Sequence, residues 1–252
     1  MPFLSIVIPA YNEQDRLPHT LSETLKFLAA QDYSSEIVVV DDGSRDRTTD
    51  VVAEFAAQAE GRLRLLKNPG NRGKGYSVRH GMLEARGDIV LFMDADLATP
   101  LTEVEKVLDP IRRNEYDVVI GSRAINRGLI GERQSFLREL RGRGGNLFMR
   151  TLLGLDFVDT QCGFKAFRRQ AAQMVFPLQQ TDGFGFDPEI LFIAQKQGWR
   201  QLETPVRWNH VEGSKVTMLG SSLEVLRDVF KIRLNDLAGK YEPAAATATA
   251  RN

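Results

Sequence analysis

Five short apolar runs, each followed by a stretch of helical character, constrain this chain more than any other feature. The runs are Leu4 to Pro9, Ile37 to Val40, Leu63 to Leu66, Ile89 to Met93 and Val118 to Ile120. Between them, apolar residues recur every three or four positions: Leu17, Leu21, Leu25 and Leu28, then Val51, Val52, Phe55 and Ala59, then Val104, Val107, Leu108 and Ile111. Lys74 to Ala85 reads as a further helix, closed by Gly87. Short aliphatic runs suit strands buried on both faces, and the intervening period suits amphipathic helices. Such alternation implies crossover units. The expected fold is therefore α/β, with a mostly parallel central sheet flanked by helices.

Beyond residue 123 the pattern is less regular. Phe164 to Phe167 and Leu202 to Trp208 read as strands, and Pro188 to Gln197 as a helix. Thr217 to Leu237 reads as a long helix carrying Leu219, Leu223, Leu226, Val229, Phe230 and Leu234 on one side. The ending "YEPAAATATARN" is low in complexity and cannot build a core. We expect a single catalytic domain over 1–240, divided into halves 1–123 and 124–240, and a disordered tail over 241–252.

Charge and cysteine content narrow the class. The chain has 33 basic and 33 acidic residues, so it lacks the basic excess of a nucleic-acid binder. Cys162 is its only cysteine, which excludes an internal disulfide and fits a reducing, cytoplasmic setting. Met1 to Ala10 has no basic n-region, so no signal peptide is expected. No apolar run reaches bilayer length, about 20 residues. Membrane contact, if any, is expected to be peripheral.

The polar clusters fall where the strands end, which is where open parallel sheets bind ligands. They are Pro9-Ala10-Tyr11-Asn12-Glu13, Asp41-Asp42-Gly43-Ser44, "KNPGNRGKG" (67–75), Asp94-Ala95-Asp96 and Gly121-Ser122-Arg123. Singly, each has an ordinary reading: Asp42-Gly43-Ser44 as a turn, the glycine-rich stretch as a surface loop. Their conjunction carries the information. A phosphate-binding P-loop is excluded, because Gly75 follows Gly73-Lys74 where Ser or Thr is required. A dinucleotide fingerprint fails too, with Val78 or Leu147 in place of the last glycine. In "VLFMDADLATP" (90–100), Asp94 and Asp96 stand two residues apart and in an extended chain would face the same way. Either a positive group sits between them or the chain turns sharply.

"SIVIPAYNE", "IVVVDDGSRDRT", "NRGKGYSVRHGM", "MDADLATP" and "GSR" together resemble the family 2 glycosyltransferases of the GT-A fold, in the family's order, over residues 4–123. "DTQCGFKAF", "FDPEILFIAQ" and "VEGSKV" are similar to a narrower branch, the dolichyl-phosphate β-glucosyltransferases. Related mannose synthases tend to carry Gln two residues past the Asp-x-Asp pair, where this chain has Ala98. The resemblance implies a UDP-glucose donor, with GDP-mannose as the alternative. It places Pro9, Tyr11, Glu13 and Asp42 near the nucleoside, with Arg72, Lys74 and Ala95 also on the donor side. It also implies Mg²⁺ or Mn²⁺ at Asp94 and Asp96, where a divalent cation would bridge carboxylate and diphosphate and neutralise the leaving group.

The implied acceptor is a polyprenyl (dolichyl or undecaprenyl) monophosphate, and a soluble or polysaccharide acceptor is the competing possibility. Residues 123–150 carry seven arginines against two glutamates, a net +5, interleaved with Leu, Ile, Phe and Met. Such a segment is either a solvated helix pair or a face for an anionic membrane. By resemblance Arg123 and Arg143, with Arg138, would bind the acceptor phosphate, and Arg123 joins Asp94 and Asp96 as catalytic. A phosphate with a second pKa near 6 is already largely dianionic, so no histidine base is needed. His19, His80 and His210 are read as structural or surface residues, and Cys162 as a small buried one. Asp187 and Glu189 are the remaining second-half acids of interest, although acids are also favoured at a helix start. The expected protein is an inverting hexosyltransferase at the cytoplasmic face of a membrane.

Overall fold

The computed structural model describes residues 1–125, 151–209 and 218–242, with 218–226 described as backbone only. In chain order the elements are β1 (Leu4–Ala10), α1 (Leu17–Ala29), β2 (Ser35–Asp41), α2 (Thr48–Gln58), β3 (Leu63–Lys67), α3 (Lys74–Glu84), β4 (Ile89–Met93), α4 (Val104–Arg112) and β5 (Val118–Ser122). They continue as β6 (Phe164–Arg168), α5 (Arg169–Val175), α6 (Phe186–Lys196), β7 (Gln201–Pro205) and α7 (Met218–Leu237). The strands form one seven-stranded sheet in the order β3-β2-β1-β4-β6-β5-β7.

All neighbours pair in parallel except those of β6, which runs antiparallel to both β4 and β5. The mostly parallel sheet is thus as expected, with one reversed strand from the second half inserted between two from the first. The reversal has a functional consequence. Phe164, the first residue of β6, stands opposite Met93, the last of β4. The 159–163 segment is therefore delivered to the same edge as the carboxyl ends of β1, β2, β4 and β5.

Alternation along the strands builds a core on each face. Val7, Val38, Val40, Val90 and Phe92 pack on one side. Ile6, Ile8, Ile37, Val39, Leu91 and Met93 pack on the other. On the first side α3 lies close to the sheet, because Gly81 presents no Cβ to Val7 and Val40; a methyl there would come within 2.8 Å of Val40 Cγ2. That close approach fixes α3 with its first residue, Lys74, at the crevice.

Two expectations need correction. Among the described side chains of α7, Asp228, Val229, Ile232 and Asn235 are buried, whereas Phe230 and Leu234 are 54% and 65% exposed. Val229 of the apolar series is buried, but Phe230 and Leu234 fall on the exposed side because Asp228 and Asn235 share the buried face; the side chains of Leu219, Leu223 and Leu226 lie outside the described residues. Tyr241, assigned to the tail, is fully buried; its hydroxyl donates to Glu189 Oε1 at 2.6 Å and its ring meets Phe192. Residues 243–252 lie outside the described residues.

Candidate active site

The loops after β1 and β2 hold each other. Asn12, with φ of 54°, donates its N–H to Ser44 Oγ (2.9 Å) and accepts from Arg45 N–H (2.8 Å), while Glu13 N–H donates to Thr48 Oγ1 (2.8 Å). Glu13 also pairs with Arg16 at 3.3 Å. Pro9 ends half-buried and Tyr11 follows at 37% exposure, both on the segment leaving the crevice edge of β1.

Asp42 is buried, and its carboxylate is largely committed. Oδ1 accepts from Asn68 Nδ2 (2.8 Å) and Arg72 N–H (2.9 Å), and Oδ2 accepts from Gly73 N–H (2.8 Å). Two carboxylate oxygens offer about four lone-pair sites, so one on Oδ2 is left for a ligand. Gly43 (φ 73°) allows the loop to approach, since a Cβ there would lie 2.8 Å from Asn71 N. Asn68 also contacts Ser77 and His80, which accounts for His80 as a structural residue. The Arg72 side chain is exposed, with its guanidinium 5.1 Å from the Tyr76 ring centroid. Asp42→Ala strands three donors, so it is expected to lower stability by about 2–3 kcal/mol and to weaken UDP binding as the loop loosens. Melting and calorimetry with UDP check this; an unchanged melt with lost UDP affinity would assign the carboxylate to the nucleotide alone.

After β4 the chain turns sharply, and a cation meets one of the two carboxylates. Lys74 Nζ meets Asp94 Oδ1 at 2.6 Å, and the chain turns so that Asp96 Oδ1 accepts from Ala98 N–H at 3.0 Å. Leu97 takes φ of 52° within this turn. Burial alone would lower the Lys74 ammonium, but Asp94 and then Asp187 outweigh it and hold it above the usual lysine value. Burial, reinforced by Asp94, pushes the Asp96 carboxyl above its usual range.

Asp94, Asp96, Ala98, Arg123, Cys162 and Trp208 line one small cavity. Arg123 enters it from the end of β5. Its Nε and Nη2 fork onto Asp159 at 2.7 and 2.8 Å, its own N–H also reaches Asp159 (3.0 Å), and its guanidinium stands 5.9 Å from the Trp208 ring centroid. Glu203 fixes Asp159 in turn by accepting from Val158 and Asp159 N–H groups, both at 2.7 Å. Burial disfavours the Asp159 charge, but Arg123 reverses that and holds the carboxyl low. Cys162 is buried with its thiol pushed up to about 12, which removes a nucleophile role.

The role of Asp159 is not legible from its motif in the sequence, and neither is that of Lys165. Lys165 is fully buried inside β6, where it pairs with Asp187 and donates to Cys162 O at 2.6 Å. A lysine between Phe164 and Ala166 was the available signal. Glu189 is structural, accepting from the N–H groups of Gln180 (3.1 Å) and Thr181 (2.8 Å) and from Tyr241. Arg138 and Arg143 lie outside the described residues.

The donor set suits a hard divalent ion. Among the described residues no group of three or more His, Cys, Asp or Glu could enclose a metal, so Asp94 and Asp96 offer only two carboxylates. Mg²⁺ is characteristically held that way, by one or two carboxylates plus substrate phosphates.

A parallel sheet with one reversed strand, a crevice at its carboxyl edge and an Asp-x-Asp turn facing an arginine define a GT-A glycosyltransferase. The chain belongs to glycosyl transferase family 2, whose family model matches residues 5–176. It is 39% identical to a dolichyl-phosphate beta-glucosyltransferase of Dictyostelium discoideum, over 95% of this chain and 76% of that protein. It is 36% identical to the Homo sapiens protein of that name, over 94% of this chain and 77% of the relative. Among solved structures it resembles glucosyl-3-phosphoglycerate synthase from Mycobacterium tuberculosis in complex with Mn²⁺, UDP and glucosyl-3-phosphoglycerate. There the TM-score is 0.66 at 22% identity, covering 92% of this chain and 80% of that one.

Proposed function

We propose that the protein transfers glucose from UDP-glucose to the phosphate of a polyprenyl phosphate of the dolichyl type, inverting the donor to give a β-linked glycolipid. The observation that carries this reading is the shared cavity of Asp94, Asp96 and Arg123 in a chain so similar to dolichyl-phosphate glucosyltransferases. Asp94 and Asp96 would hold a divalent ion, which would neutralise charge on the departing diphosphate. Asp42 and the loop it holds position the nucleoside side, together with Pro9, Tyr11 and Glu13. Arg123, oriented by Asp159, receives the acceptor phosphate, whose own oxygen attacks without a base. Ala98 lines the cavity where a larger amide side chain would narrow it.

The acceptor's tail stays in a bilayer, so the protein works as a peripheral enzyme at an anionic, cytoplasmic membrane face. No described helix is long and apolar enough to cross a membrane. The exposed side of α7 presents Phe230, Leu234 and Leu237, with Arg227, Lys231 and Arg233 exposed beside them, a combination that suits an interface.

The test is donor screening with polyprenyl phosphate in vesicles, read by the mass of the glycolipid. UDP-glucose is expected to be used, with vesicle binding rising with anionic lipid and falling with salt. Salt acts here because exposed charges are screened over about 8 Å at physiological ionic strength. Transfer from GDP-mannose instead, or to a soluble acceptor alone, would overturn the donor or the acceptor assignment. Failure to bind anionic vesicles at low salt would overturn the membrane assignment.

A further inference from the structure

The Lys74–Asp94 pair is held from both ends. Gly73 (φ 106°) and Gly75 lie against the 181–183 segment; a Cβ on Gly75 would come within 2.6 Å of Thr181 O and 2.8 Å of Phe186 Cβ. Tyr76 N–H donates to Asp182 O at 3.1 Å. The backbone of Lys74 is therefore locked, and only its side chain is free to change partner. On the other side, Asp94 N–H donates to Gly163 O at 3.2 Å, and Gly163, lacking a Cβ, leaves room for the Asp94 carboxylate. Asp187, buried and held by Lys165, adds a second negative charge near the Lys74 ammonium.

A divalent ion needs the same Asp94 oxygen atoms. It finds only two carboxylates in the described site, one of them already paired with a cation. We propose that Lys74 competes with the metal for Asp94, so that the metal binds well only together with a nucleoside diphosphate. The diphosphate then supplies the missing oxygen ligands and gives the released ammonium a new anionic partner. Cation entry is in this way tied to donor entry. The inference rests on the metal-dependent reading of Asp94 and Asp96 above. It extends that reading by giving Lys74 a role before any sugar is transferred.

Coupling between two ligands is reciprocal, so UDP must raise Mn²⁺ affinity by the factor by which Mn²⁺ raises UDP affinity. Removing Lys74 relieves the competition on the nucleotide-free side and must shrink that factor. The experiment is Mn²⁺ titration followed by the electron paramagnetic resonance of the free ion, with and without UDP. It compares the wild-type protein with Lys74→Gln, Lys74→Met and Lys74→Arg, each checked by melting. Without nucleotide, the Gln and Met variants are expected to bind Mn²⁺ about tenfold more tightly. That factor corresponds to the low end of a charge-assisted contact, because the pair is partly exposed. The Arg variant, which keeps the competing charge, is expected to remain weak. Unchanged or weaker nucleotide-free binding in both neutral variants overturns the role of Lys74 and leaves the metal site intact. No Mn²⁺ binding by the wild-type protein even with UDP overturns both.

Discussion

Asp96→Asn is expected to lower turnover about a thousandfold while leaving the fold intact. The size follows from the several kcal/mol that a bound metal contributes to charge stabilisation at the leaving group, where about 4 kcal/mol is a thousandfold in rate. Asparagine keeps the shape and the carbonyl that accepts the Ala98 N–H, so the turn after β4 survives. It also removes a negative charge beside Asp94, which relieves repulsion, so the melting temperature should not fall. Chelation by EDTA should reproduce the loss in the wild-type enzyme, and added Mn²⁺ or Mg²⁺ should restore it there but not in the variant. Near-normal turnover in EDTA, or in Asp96→Asn, would remove the metal from the proposed reaction.

How far the sequence reveals such a site depends on whether a residue acts with its neighbours in the chain. β1, β2 and β4 were legible because fully buried aliphatic runs can hardly be anything else, and strand ends then located Asp42, Asp94, Asp96 and Arg123. The insertion of β6 between β4 and β5 was not legible, because strand pairing over such separations is decided by packing rather than by local pattern. Everything that depends on that insertion was hidden with it. Asp159 reaches Arg123 across 36 residues, and Lys165 reaches Asp187 across 22. The cation anticipated beside the Asp-x-Asp pair was a divalent metal, whereas the positive group the structure shows there is Lys74, paired with Asp94. The family resemblance points Lys74 to the nucleotide, and only the approach of α3 to the sheet shows that its ammonium reaches Asp94. On α7 two polar residues, Asp228 and Asn235, share the buried face with Val229 and Ile232, while Phe230 and Leu234 of the expected apolar series stand exposed.

Arg123→Ala is expected to lower acceptor kcat/KM by one to two orders of magnitude with near-normal UDP affinity. In the proposed reaction the metal and Lys74 would serve the donor diphosphate, so the second phosphate would need its own cation. Arg123 spends two of its five N–H donors on Asp159. The remaining donors are held in a fixed plane by that fork and by Trp208. A charge-assisted contact of about 1.5–3 kcal/mol sets the size of the loss. Alanine also leaves Asp159 buried without its partner, which costs stability, so the alanine variant alone cannot separate position from folding. Arg123→Lys separates them: it keeps a cation beside Asp159 but lacks the planar fork. It is expected to melt close to wild type and still lose acceptor kcat/KM. Asp159→Asn keeps the guanidinium and loosens its orientation, so its acceptor defect should be smaller than that of Arg123→Ala. These three variants, measured with donor and acceptor varied separately, assign the arginine. A collapse of UDP affinity in Arg123→Lys would move Arg123 to the donor side, and full acceptor use in the same variant would leave the acceptor phosphate to other cations.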